Sequence, residues 1–149
     1  MPSVATPRLD RSEARASHFP VVQTRHDLPA FQKFIEVAYP PGQDHAPGPT
    51  TIWMKTPPLL AGEATSPFQH LCFLADCGNG ISRNAEMTQM GFMNCDLTIV
   101  QHRPPRSEWL ASEAVSYWES TGIAQARATI MDEDGPVATA LQTVLLMPA

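Results

Sequence analysis

Only one stretch of this chain reads as a long helix, and it is apolar almost throughout. Ser66-Pro67 gives it a start, with serine at the N-cap and proline at the first helical position. The run Leu71-Cys72-Phe73-Leu74-Ala75-Asp76 follows. A helix is expected over 67–77, ended by Gly78-Asn79-Gly80. So apolar an interior implies burial all round. The rest of the chain must then supply a surface that wraps the helix.

The remaining segments read as strands. Residues 31–39 form a first strand, with a start that is also compatible with helix, and 51–56 form a second, stopped by Pro57-Pro58. After the helix, 92–102 alternates and closes at Pro104-Pro105. Long strands are expected over 108–120 and 123–131, where Ala124, Ala126, Ala128 and Ile130 oppose Gln125, Arg127 and Thr129. Asp132-Glu133-Asp134-Gly135 is a hairpin turn in which Gly135 supplies a positive φ. The last strand covers 137–147. One long helix and one antiparallel sheet give an α+β chain with the sheet wrapped around the helix, the hot-dog architecture. Such a sheet leaves open edges, so an oligomer is expected.

With 149 residues, 43% of them hydrophobic, the chain has material for one packed core. The expected division is an extended N-terminal arm over 1–30 and a globular domain over 31–149. The arm carries Pro2, Pro7, Pro20 and Pro29 with few large apolar residues. It reads either as a mobile terminus or as a segment crossing a partner subunit. A net charge of −5 argues against nucleic acid as partner. No apolar run approaches the roughly 18–20 residues that span a bilayer. No secretory signal is visible at the start of the chain. Cys72, Cys77 and Cys95 are odd in number and have apolar neighbours, which suits reduced thiols in the cytoplasm. Their spacing gives no zinc site and nothing calls for a cofactor.

Three polar residues interrupt the apolar segments. Asp76 ends the helix run, Asn94 precedes Cys95-Asp96-Leu97-Thr98-Ile99-Val100, and Gln142 lies inside the last strand. A buried polar group costs about 1–3 kcal/mol unless it finds a partner. Together they imply a meeting point around a water or a substrate. The helix C-terminus disfavours negative charge at Asp76, a placement that suits a general base. Asp96 is expected to be structural, pairing with Arg103 or Arg127. His70 and His102 are expected to be hydrogen-bonded structural histidines. Trp53 and Trp109 are candidates to line an apolar ligand tunnel, against the plainer reading of aromatic core. Gly78, beside Asp76, is a candidate substrate contact. There is no Gly-x-Ser-x-Gly elbow.

From Trp53 onward the chain resembles the second hot-dog repeat of the acyl-CoA thioesterase II family. The segments that carry the resemblance are Leu71 through Asp76, Asn94-Cys95-Asp96-Leu97-Thr98-Ile99, His102-Arg103-Pro104, Glu108-Trp109-Leu110, and Asp134-Gly135-Pro136-Val137-Ala138 ahead of Gln142. The resemblance implies a water held against a thioester carbonyl by aspartate, a hydroxyl residue and glutamine. Asp76 and Gln142 match, and Asn94 stands at the hydroxyl position. It also implies two hot-dog units, which one chain would complete as a homodimer or with another hot-dog protein. The expected function is acyl thioester hydrolysis, on coenzyme A or an acyl carrier protein. The alternatives are a non-catalytic acyl-binding or partner subunit, and a hot-dog enzyme of another reaction such as cyclisation or dehydration. An Asp/His pair after the helix, as in hot-dog hydratases, is missing: Asp76 is followed by Cys77-Gly78-Asn79-Gly80-Ile81.

Overall fold

The computed structural model describes residues 7–21 and 28–148. The expected N-terminal arm falls partly on 1–6 and 22–27, outside the described residues. Arg15–Ser17 forms strand β1, paired antiparallel with β2 (Glu36–Tyr39), and Phe19 is 5% exposed in the main core. A short 3-10 turn, Phe31–Lys33, precedes β2, so the helical alternative holds at the start of that segment.

β3 (Thr50–Lys55) leads to helix α1 (Pro67–Asp76) and a single further turn, α2 (Gly78–Ile81). Then come β4 (Met90–Asn94), β5 (Thr98–Gln101), β6 (Trp109–Trp118), β7 (Ile123–Asp132) and β8 (Gly135–Pro148). The strands form one sheet in the order β1-β2-β3-β6-β7-β8-β4, with β5 also on β8. Every pairing is antiparallel.

The helix start is built as its residues dictate. Gln69 N–H donates to Ser66 Oγ at 3.3 Å, Ser66 N–H donates to Gln69 Oε1 at 2.7 Å, and Pro67 opens the helix. Leu71, Leu74 and Ala75 face the sheet and meet Ile52, Met54, Leu110, Ile130 and Val137 in the core. Each such side chain contributes about 1.5–3 kcal/mol on burial. The small residues Ala126, Ala128 and Ala140 on the same sheet face leave room for the helix backbone. Burial of α1 all round is not what the structure shows. Its buried residues are Leu71, Leu74 and Ala75, while Phe68 is 52% exposed. The sheet of one chain reaches only one side of the helix.

Strand alternation sends Trp53 to the other face of the sheet. It packs with Ala38, Ala111 and Met131, and Leu9, Ala14 and Trp109 cover them. The N-terminal segment is thus a strap across the outer face. Arg11 fastens it, with Nε 2.8 Å from Glu133 Oε1 and its guanidinium 4.9 Å above the Trp109 ring.

The β7–β8 hairpin turns between partners Asp132 and Gly135, with Gly135 at φ 121°. Asp132 is fully buried, yet it is matched on every side. Arg103 grips its two oxygens at 2.7 and 2.6 Å, and the N–H groups of Arg106 and Asp134 donate at 3.0 and 2.9 Å. Burial works to raise its pKa, but these bonds prevail and hold it below the usual carboxylate value. A lowered carboxylate pKa gives stability that is present above the unfolded pKa of about 3.9 and lost as pH falls through the folded value. Replacing Asp132 by alanine leaves the largely buried Arg103 without its carboxylate, with Gly135 C=O at 2.8 Å as its remaining close acceptor. Urea unfolding at pH 7 is expected to show a loss of about 3 kcal/mol. The difference between wild type and Asp132→Ala should shrink as pH drops below about 4.

Candidate functional site

The site forms where α1 stops. A continuous helix would bond Asn79 N–H to the carbonyl of Ala75 and Asp76 C=O to a later N–H. Here the chain breaks and restarts as α2, so Gly78-Asn79-Gly80 does not end the helical path as expected. The Gln142 side chain enters the break from β8. Its Nε2 donates to Asp76 C=O at 3.0 Å, and its Oε1 accepts from Asn79 N–H at 3.0 Å. Gln142 is 2% exposed. One amide therefore satisfies two main-chain groups that the break would leave without partners.

Gly78 makes this approach possible. A Cβ there would lie 3.0 Å from Gln142 Oε1 and 3.9 Å from Ala128 Cβ. Gly78, the candidate substrate contact, is buried against the glutamine. Asn79 was not singled out by sequence reasoning. Its N–H holds Gln142, and its own Oδ1 accepts from Gly80 N–H at 2.7 Å. Glycine-flanked asparagine reads only as a helix stop, so no sequence signal marked it.

The segment 92–102 is two strands rather than one. β4 ends at Asn94, and β5 begins at Thr98 on the same neighbour, β8. Asp96 fills the interruption and accepts from Thr143 N–H at 2.7 Å and Thr143 Oγ1 at 2.8 Å. The backbone bond first, then the hydroxyl, lowers its pKa. Asp96 is structural, but through Thr143 and not through Arg103 or Arg127. Arg103 is committed to Asp132.

The end of β4 delivers Asn94 to the end of α1. Asn94 Nδ2 donates to Asp76 Oδ1 at 2.7 Å. Asp76 is exposed, and its second oxygen has no bond among the described residues. Asn94 thus bonds the Asp76 carboxylate, while Gln142 bonds the Asp76 main chain. Cys77, next along, is held away from reactivity. Burial, then the Asp76 charge, pushes its thiol up to about 12, and Sγ donates to Phe73 C=O at 3.3 Å.

Trp53 and Trp109 do not reach this place. Both lie under or beside the strap on the outer face. What opens beside Asp76 is an apolar depression of about 430 Å³ bounded by Phe31, Leu59, Phe68, Cys72 and Phe73. His70 is engaged, with Nδ1 2.6 Å from Thr56 Oγ1. His102 is exposed at the end of β5, where its N–H donates to Val137 C=O at 3.1 Å. Among the described residues, no group of three or more His, Cys, Asp or Glu is placed to hold a metal ion. No helix among them is long and apolar enough to cross a membrane.

An antiparallel sheet curled over one helix defines a hot-dog protein. Residues 9–146 match the model of the acyl-CoA thioesterase C-terminal domain, and the chain belongs to that family. The solved acyl-CoA thioesterase II TesB2 of Mycobacterium marinum is 20% identical with TM-score 0.55, over 97% of this chain and 60% of that one. The tesB protein of Mycobacterium avium subspecies paratuberculosis is 14% identical with TM-score 0.63, over 99% and 56%. A thioesterase of Haemophilus influenzae is 14% identical with TM-score 0.53, over 76% and 78%. The chain therefore spans little more than half the length of the TesB proteins. No curated protein matches it in sequence.

The close fit at Gly78 has a measurable sign. In an ordinary helical turn, alanine for glycine stabilises by up to about 1 kcal/mol. Here the new methyl presses on a side chain held at both ends. Gly78→Ala is expected to destabilise by about 1–3 kcal/mol in chemical unfolding. In a Gln142→Ala background most of that cost should vanish. Additive costs across the double-mutant cycle would contradict the contact.

Proposed function

We propose that this chain hydrolyses an acyl thioester at the end of α1. The observation that carries the reading is the 2.7 Å bond from Asn94 Nδ2 to Asp76 Oδ1. It orients the carboxylate and leaves Oδ2 free to accept a hydrogen from water. As the water oxygen bonds to the thioester carbonyl carbon, Asp76 takes the proton. The tetrahedral adduct then expels the thiol, which leaves with a proton. Gln142 supports the trio from behind, by fixing the main chain on either side of Cys77. The carrier is coenzyme A or an acyl carrier protein. The free thiols at Cys72, Cys77 and Cys95 fit a reducing compartment such as the cytoplasm.

The same reading makes the chain one half of a pair. It is one hot-dog unit against TesB chains of nearly twice its length. Phe34, Leu60 and Phe68 are 61%, 56% and 52% exposed. A second copy, or another hot-dog chain, would complete it. Light scattering of the pure protein at micromolar concentration is expected to give about twice 16.3 kDa. A folded monomer as the main species would contradict this.

Two observations favour a second reading. Asn94 occupies the hydroxyl position, and both ends of Gln142 are engaged by main chain. A non-catalytic subunit that binds acyl chains would tolerate that arrangement. A thiol-release assay separates the two. Asp76→Asn should lower kcat by about 100-fold or more without unfolding the protein. Asn94→Thr should keep or raise the rate. If wild type and Asn94→Thr both stay at background, the hydrolytic reading is wrong.

A further inference from the structure

β2 pairs with β3 only at residues 53–55. Nearer the start of β3, the loop over residues 40–49 takes the place of the missing strand. Thr51 N–H donates to Gln43 Oε1 at 2.8 Å, Thr50 Oγ1 donates to Gly48 C=O at 3.0 Å, and Gly48 N–H donates to Arg83 C=O at 2.7 Å. These bonds hold the loop as a wall against the sheet. Beside this wall is a pocket of about 260 Å³. It lies on the outer face, the one that carries Trp53 and is turned away from α1 and Asp76. The strand register lays out its floor. Glu113 sits between Thr51 and Thr129 in one row, and Arg127 beside Val115 in the next. Glu113 and Arg127 are thus diagonal neighbours of opposite charge, close enough for long side chains to meet. Both are exposed, and neither side chain makes an ion pair or a hydrogen bond with any described residue. Elsewhere on the surface Arg11, Lys55 and Arg106 each reach a carboxylate, at 2.8, 2.9 and 3.8 Å. Here the two charges stand apart across a pocket that both of them line.

We propose that this pocket binds a small zwitterion, an α-amino acid with a short apolar side chain. The ligand carboxylate lies on the Arg127 guanidinium, whose fork of N–H groups matches two oxygens. The ligand ammonium lies on Glu113, and the hydroxyls of Thr51 and Thr129 are further partners for either group. The short side chain rests against Pro49 and Val115. The charge pattern makes the choice. An anion is repelled by Glu113 and a cation by Arg127, so a ligand with one charge loses at one wall what it gains at the other. A zwitterion is attracted by both. The volume sets the size, because pockets for drug-sized molecules run to about 300–1,000 Å³ and this one is smaller. The assignment stands independently of the hydrolytic reading, since the two places lie on opposite faces of the sheet.

The test titrates the full chain, labelled with nitrogen-15, at pH 7 with three probes in turn. These are L-alanine, propionate, which lacks the ammonium, and ethylamine, which lacks the carboxylate. Amide shifts in the NMR spectrum report where each one binds. L-Alanine should give saturable shifts centred on Thr51, Glu113, Arg127 and Thr129. Propionate and ethylamine should each bind at least about 10-fold more weakly, because each forgoes one charge-assisted contact. Two variants give the converse reading. Arg127→Gln and Glu113→Gln should each weaken L-alanine by at least about 10-fold, while Glu113→Gln should strengthen propionate, since the repelling charge is gone. Both positions are exposed, so the substitutions spare the core, and the three-probe comparison on wild type decides the matter even where a variant does not fold. A Kd for L-alanine weaker than about 10 mM overturns the assignment. An equal response to all three probes overturns it as well, since that is a general charge effect. Saturable shifts centred on Asp76 rather than on Arg127 also overturn it.

Discussion

The arrangement at the centre of this molecule depends on one buried amide. A helix end inside a protein must find partners for its last carbonyls, and a helix start for its first N–H groups. Between Asp76 and Asn79 the chain faces both demands within a few residues. Gln142 meets both, with a donor on Asp76 C=O and an acceptor on Asn79 N–H, each at 3.0 Å. An apolar residue of the same size would leave two main-chain groups without partners, at about 1–3 kcal/mol each. No shorter polar side chain spans the gap from β8. The break in the helix is therefore stabilised from the sheet, and the direction of the Asp76 side chain is tied to β8 rather than to helix geometry alone.

The same solution recurs one residue further along β8. The neighbouring edge also breaks, between β4 and β5, and the Thr143 N–H loses its ladder partner there. Asp96 replaces it, accepting from the Thr143 N–H and hydroxyl. Gln142 and Thr143 point to opposite faces because strand residues alternate. One residue anchors the helix break on the inner face, the other anchors the strand break on the edge. The two breaks lie side by side, so the last residue of α1 and the last residue of β4 end next to each other. That juxtaposition is what brings Asn94 to Asp76. The site is a meeting of two interrupted elements, each held by a side chain that substitutes for missing backbone hydrogen bonds.

Much of this was legible in the residues, and the failures share a cause. The helix start at Ser66-Pro67, the alternation of Ala124 through Ile130 and the glycine at Gly135 are local signals, and the structure contains all three. Asp76, Asn94 and Gln142 stood out because polar residues in apolar segments need partners, and they have them. The rest required knowing which side each neighbour occupies. The apolar outer stripe of α1 looks the same in sequence as a buried stripe, yet a single sheet covers only one side. Trp53, a tunnel candidate with core as the plainer reading, is packed in core on the face that Leu9 and Ala14 cover from the N-terminal segment. The break at Cys95–Leu97 is invisible to a period-two pattern. It preserves the spacing of apolar residues while it changes what Asp96 can reach.

Asn94 at a position where the family resemblance implies a hydroxyl calls for a chemical argument. A hydroxyl donates to the carboxylate and accepts from the water through one oxygen. An asparagine divides those tasks between two atoms. In this structure Nδ2 donates to Asp76 Oδ1, which leaves the amide oxygen available as an acceptor. On the hydrolytic reading, Asp76 Oδ2 and Asn94 Oδ1 are the two acceptors this pair keeps for a water. The proton moves only toward the carboxylate, because an amide oxygen is too weak a base to keep it. The substitution therefore leaves the general base unchanged and alters only how the water is oriented. Its effect belongs on the precision of water placement, and so on kcat, rather than on the identity of the reaction.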